Sequence, residues 1–262
     1  MSYATLTDLK NYLNISATSA DDALLQRMLE AASARIDSRT ARSFYAGADS
    51  TRYHDYGDFH GGELQLDGDL SYLTSITNGA GTNITASVYL TPRRGPAYAI
   101  GIKASSGYGW DYVDDVQNAI PVTGRWAYME KIPFTAIVRS SNTVTATLSN
   151  AAPLSIGQSI EVVGVADTGF NGSFVVTAQT SGSVSWAQTG AGDTDTTGYI
   201  LAAPQDIVQA CRRLASWLYR QKDNQSGDQD RPVLMGDGTV IMPTTLPADV
   251  VQTLQPYCRI VS

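Results

Sequence analysis

Apolar residues recur at helical spacing at the two ends of the chain and at alternating spacing between them. Near the start, Leu6, Leu9, Tyr12 and Leu13 share one face, behind Thr5 as N-cap and with Asp8 three residues on. A second helix is predicted from Ser19, with Asp22 at capping-box spacing and Leu25, Met28, Leu29, Ala32 and Ile36 at three- and four-residue intervals. From Phe44 to about Tyr128 the period becomes two. Leu64 and Leu66 alternate with polar neighbours, Gly-rich turns follow at 79–81 and 107–109, and Ile120–Tyr128 reads as a closing strand. Alternation continues through Val144, Ala146 and Leu148, Ile160 and Val162, Phe174 and Val176, and Val184 and Trp186. The intervening Asn150–Gly157, Asp167–Gly172 and Ser181–Gly182 carry turn chemistry. Helical spacing returns after Pro204, which suits a first helical turn, with Ile207, Cys211, Leu214 and Leu218 on one face. A polar, Gly-rich loop, Lys222–Gly238, precedes a last short helix that starts near Pro247 and carries Val250, Val251 and Leu254.

This succession predicts an α+β protein. Its N- and C-terminal helices form a small helical bundle, residues 45–133 make a β-rich middle region, and residues 134–201 make an inserted small all-β sandwich or barrel. The predicted parts are therefore 1–44, 45–133, 134–201 and 202–262. No period of 20–50 residues repeats, which excludes a solenoid or propeller.

Composition narrows the function. The 262 residues hold 18 Lys and Arg against 25 Asp and Glu, a net charge of −7. Proteins that grip nucleic acid displace counterions with Lys and Arg, and this chain has no surplus of either. A protein that lies near DNA without holding it remains compatible with that balance. Cys211 and Cys258 are too few for a disulfide framework or a structural zinc site, and Cys211 falls on an apolar helix face as a buried thiol. No signal-peptide pattern and no run of 18 apolar residues occurs, so the expectation is a soluble protein made in a cytosol, with no membrane partner.

Candidate chemistry is sparse. His54 and His60 stand with Asp55, Asp58 and Glu63 in one segment, but their spacing matches no helix face and no recurrent zinc motif, and the Tyr/Asp/Gly-rich sequence suits a hairpin loop. Residues 190–198 resemble a calcium loop only faintly: counting from Asp193, the closing acid position is Pro204, so a polar turn is expected. There is no Gly-x-Ser-x-Gly elbow, Walker loop or dinucleotide fingerprint, and neither Cys has an activating neighbourhood. The reading is a protein without catalytic residues, metal or cofactor; a hydrolase with dispersed carboxylates is the weaker rival. Tyr108, Trp110 and Tyr112 form an aromatic run, which either stacks sugars or bases or meets a core or a partner protein.

The order of the terminal segments carries a resemblance. YATLTDLKNYLNIS and DDALLQRMLEAASARIDSRTARSFY, ending in Arg42-Ser43-Phe44, resemble the opening of the gp6-like head–tail connector family of tailed phages. VTGRWAY at 122–128, PQDIVQACRRLASWLYRQKD at 204–223 and LPADVVQTLQPYCRIV at 246–261 look like that family's later strand, helix and C-terminal element. The segment between 134 and 201 departs from the compact members and looks like a small β module of phage structural proteins.

The resemblance implies a structural role in the virion neck. Family members assemble as a homo-oligomeric ring, usually a dodecamer, under the portal protein. DNA passes through the lumen without specific binding, and a tail, stopper or nozzle protein docks below. On this reading the chain is made in the host cytoplasm. The terminal segment Pro256, Tyr257, Cys258, Arg259, Ile260, Val261 and Ser262 is short and partly apolar, a candidate portal-docking tail. The loop Lys222–Gly238 is a second candidate contact, and Tyr108, Trp110 and Tyr112 are candidate partner-contact aromatics. The alternative is a virion-surface binding protein whose β module recognises a host glycan or other ligand.

Overall fold

A computed structural model describes residues 2–15, 20–92, 95–151, 154–221, 233–234, 240–241 and 246–259. The fold is α+β, and the chain divides into two compact units, Met1–Ala41 with Gln205–Ser262, and Arg42–Pro204.

In the first unit, α1 (Leu6–Leu13) starts as its pattern predicts, with Thr5 Oγ1 accepting the Asp8 N–H at 3.2 Å. The helix α2 (Asp22–Thr40) begins differently. Its N-cap Asp21 makes no capping bond and instead accepts from Tyr219 Oη, while Asp22 pairs with Lys10 Nζ at 2.8 Å. Ser19, the expected cap, lies outside the described residues. Leu25, Leu29, Ala32 and Ile36 are buried on one side of α2, each large side chain contributing about 1.5–3 kcal/mol. The helix α3 (Gln205–Gln221) contacts α1, α2 and the short α4 (Ala248–Leu254). That position explains why more of α3 is buried than the single predicted face: Val208, Ala210 and Ala215 are covered as well as Ile207, Cys211 and Leu214. Ser33 ties three segments, donating to Leu29 O, accepting from the Tyr3 N–H at 3.1 Å and touching Cys211 Sγ at 3.3 Å.

The second unit is built of strands, with short 3-10 turns at Thr85–Ser87, Ala104–Ser106 and Thr168–Phe170. β1 (Ser50–His54), β2 (Phe59–His60), β3 (Glu63–Ile76), β4 (Val88–Thr91), β5 (Ala97–Ile102) and β6 (Ile120–Trp126) make one antiparallel sheet in the order β1-β6-β3-β5-β4, with β2 on β3. The strand expected to close this region, β6, in fact lies between β1 and β3, where the alternation of Ile120, Val122, Gly124 and Trp126 puts each of these on the buried side.

The chain then enters a barrel. β7 (Glu130–Ser140), β8 (Thr143–Leu148), β9 (Ser159–Val163), β10 (Gly172–Gln179), β11 (Ser183–Ala187) and β13 (Tyr199–Ala202) pair in a closed circuit, β7-β13-β9-β10-β11-β8 and back to β7; β12 (Asp193–Asp195) adds to β7. Closure leaves no open edge among these six, and the interior is filled by side chains such as Ile137, Val144, Ile160, Phe170, Val184 and Trp186. Residues 193–195, expected in a turn, thus form a strand. Asp195 also organises the adjoining turn: its carboxylate accepts the N–H groups of Asp167 and Thr197, which hold it down at about 2. After Ala202 the chain passes to α3. The dipeptide pairing of β14 (Val233–Leu234) with β15 (Val240–Ile241) completes the described strands, and a 3-10 turn at Gln255–Tyr257 follows α4.

Sheet and barrel are joined through Glu161. This carboxylate on β9 has 0% exposure, accepts the Tyr45 hydroxyl, and pairs with Arg125 Nη1 of β6 at 3.6 Å, while Arg125 Nε reaches Asp49 at 2.8 Å. Burial first, and the Glu161 carboxylate second, push the half-buried Tyr45 phenol up to about 12. Because the fold raises this pKa above the ordinary 10.0, the phenol's proton contributes stability fully below pH 10, and that contribution is lost as pH rises through 12. The urea midpoint of the wild-type chain should therefore fall between those values. Tyr45→Phe should lower the midpoint at neutral pH, at a cost of about 1.5 kcal/mol for the lost bond to a charged group, and make the alkaline fall shallower. Equal alkaline slopes would remove Tyr45 from this role.

Candidate partner-docking surface

The aromatic run 108–112 lies in the loop between β5 and β6, over the turn that joins β1 to β2. Trp110 is half-buried: it packs on the core of the six-stranded sheet, and its Nε1 donates to Gly62 O at 3.3 Å. Tyr108 and Tyr112 are 49% and 43% exposed. Two rings that the sequence reading did not single out complete the cluster. Phe59 lies 5.4 Å from Trp110, and Tyr56 lies 5.4 Å from Phe59 and 4.8 Å from Tyr112, centroid to centroid. Their signal was present in His54-Asp-Tyr-Gly-Asp-Phe-His60, where the aromatic content of a turn is the clue.

Backbone bonds hold the loop in place. Tyr56 N donates to Val116 O at 2.6 Å, Asp111 N to Asn78 O at 2.8 Å, and Asn118 N to Asp55 Oδ1 at 2.7 Å. Gly79 allows the second of these approaches. Its φ is +95°, and a Cβ there would sit 1.9 Å from Asp111 O.

Charge on this surface has one sign. Asp55, Asp58, Asp111, Asp114 and Asp115 are exposed in the same two segments as the rings, and no Lys or Arg occurs in 53–92 or 104–124. None of the five acids makes an ion pair among the described residues. Such a surface repels phosphate, which disfavours the base-stacking reading. Open ring faces beside carboxylates instead suit a flat cation, stacked on a ring and paired with an acid.

The other sequence candidates are dispersed. His54 is buried at the end of β1, its ring 5.9 Å from Trp126, and burial lowers its pKa below the ordinary 6.5; His60 is exposed on β2. Among the described residues, no group of three or more His, Cys, Asp and Glu is placed to hold a metal. Burial raises the Cys211 thiol. In the tail, Pro256–Arg259 rest on the helices: Arg259 N donates to Thr40 O at 2.8 Å, Tyr257 Oη to Asp206, and Cys258 Sγ to Leu254 O at 3.5 Å. Ile260, Val261 and Ser262 lie outside the described residues, as does most of the loop Lys222–Gly238. The aromatic run sits on the six-stranded sheet rather than on the barrel, so the two features named for a glycan-binding reading belong to different sheets. No helix among the described residues is long and apolar enough to cross a membrane.

Gly79→Ala should cost about 1–3 kcal/mol through backbone strain alone and lift the loop from Asn78. Its expected signature is a red shift of the Trp110 emission, isolated by difference against Trp110→Phe; an unshifted spectrum would mean that Gly79 does not set the loop.

No curated protein matches the chain. The family comparison reaches from the segment before α1 through α2 and β1 into β2, leaving the barrel and the C-terminal helices outside it. Residues 3–59 match the family model of the phage gp6-like head–tail connector protein, the family that the terminal segments resemble.

Proposed function

We propose that this protein is the head-to-tail adaptor of a tailed phage, a ring of identical copies under the portal through which DNA passes and on which tail, stopper or nozzle proteins dock. The observation that carries the reading is the connector-family match over α1 and α2, which supports a phage structural connector role. The acidic balance agrees with it, since a lumen of like charge lets DNA slide without being gripped. In this reading the helices from the two ends act as one small bundle, the rigid body of each subunit. The segment 134–201 is an inserted module that thickens the ring, and the chain, made in the host cytoplasm, ends in the virion neck.

The C-terminal tail docks the portal. Arg259 is pinned to Thr40, and Ile260 and Val261, which follow it in sequence, are apolar residues of a kind that suits a partner surface. Removing 260–262 keeps the Arg259 bond, whereas removing 256–262 does not. Both deletions should abolish co-sedimentation with portal rings, the shorter one with an unchanged melting midpoint. Undiminished binding by the shorter variant would remove the tail from the portal contact.

A further inference from the structure

The acidic aromatic surface has a complement elsewhere on the same chain. The exposed side of α2 carries Arg27, Arg35 and Arg39, and none of the three guanidinium groups makes an ion pair among the described residues. They span twelve residues of helix, about 18 Å along its axis. Between them stand Ala31, Ala34 and Ser38, exposed and small, so a partner's rings can approach the helix backbone closely. Glu30 stands at the edge of this stripe, where Gln26 donates to it at 3.0 Å. The opposite side of α2 is the buried one, so the stripe is not needed for the helix's own packing.

We propose that the acidic aromatic surface of one copy, built on Tyr56, Tyr108 and Tyr112 with the surrounding aspartates, receives the α2 arginine stripe of a second copy. Charge complementarity carries the choice of occupant. Among the described residues, the segments of one surface hold five carboxylates without ion partners and no Lys or Arg, the other three arginines without ion partners. Guanidinium groups stack on Tyr and pair with carboxylates at once, and Arg and Tyr are the residue types that dominate interface energetics. The two patches differ, so the contact is heterologous: each copy offers one of each, and successive copies run head to tail. This rests on the ring reading above and names the faces that would meet in it.

The test uses two full-length variants. Arg27→Ser with Arg35→Ser and Arg39→Ser removes the stripe; Asp111→Ser with Asp114→Ser and Asp115→Ser removes the receiving charge. In sedimentation velocity, the wild type should self-associate at low salt and weaken at high salt. Each triple variant should remain a monomer, with association reduced at least tenfold. Mixing the two variants should give a one-to-one pair that grows no further, because only one competent interface remains. Self-association of either variant at wild-type strength would overturn the pairing. So would a wild type that stays monomeric at low salt and high concentration. In both cases binding of the wild type to portal rings would still judge the ring reading by itself.

Discussion

A carboxylate with no access to water cannot stay charged inside a protein unless it is paired and hydrogen-bonded, and Glu161 imposes that condition on the β-rich unit. Its partners come from two places, Tyr45 from the segment entering the sheet and Arg125 from β6, and Arg125 also pairs with Asp49 of that same segment. The barrel and the six-stranded sheet are thereby held in one arrangement, and Lys131 over the rings of Tyr72 and Tyr199 adds a second tie across the same boundary. An apolar cluster of Ala127, Met129, Val163 and Leu201, with Tyr45, Tyr72 and Tyr199 packed on it, fills the same boundary. Apolar packing supplies the burial there, and the ion pair and the Tyr45 bond supply the directional contacts.

That arrangement gives the aromatic loop its setting. The loop between β5 and β6 belongs to the sheet that Arg125 anchors, and it is tied by backbone bonds to Asn78 and Tyr56 and by the Asp55 carboxylate. Tyr and Trp side chains have few rotatable bonds and lose little entropy when they bind, so rings on a hydrogen-bonded loop suit a docking surface. Five exposed carboxylates in the segments that carry the rings, with no Lys or Arg among them, disfavour contact with phosphate, in keeping with a protein proposed to surround DNA without binding it.

Much of the architecture was legible in the sequence, for identifiable reasons. Helices at both ends showed their apolar spacing, and the interior of the barrel followed from strict alternation in Val144–Ala146–Leu148 and Val184–Trp186. The places that resisted were those where tertiary contacts override local pattern. β9 is buried on both faces, so Glu161 sits among apolar neighbours as an isolated charge, and nothing local announces Arg125 as its partner. β12 is made of Asp193, Thr194 and Asp195, and its two aspartates are of a type depleted in strands; its backbone nonetheless pairs with β7. Tyr108, Trp110 and Tyr112 were visible as a run, yet the structure divides them into one core ring and two exposed ones and adds Tyr56 and Phe59 from a different segment. Loop-to-loop proximity of that kind leaves no periodic trace.

The central claim is a location, the neck between head and tail, and imaging tests it most directly. Electron microscopy of particles carrying a gold-labelled tag at the N-terminus of this protein should place the label at the single vertex where the tail meets the head. Label spread over the capsid, label at the fibres, or particles that lack the protein altogether would contradict the account.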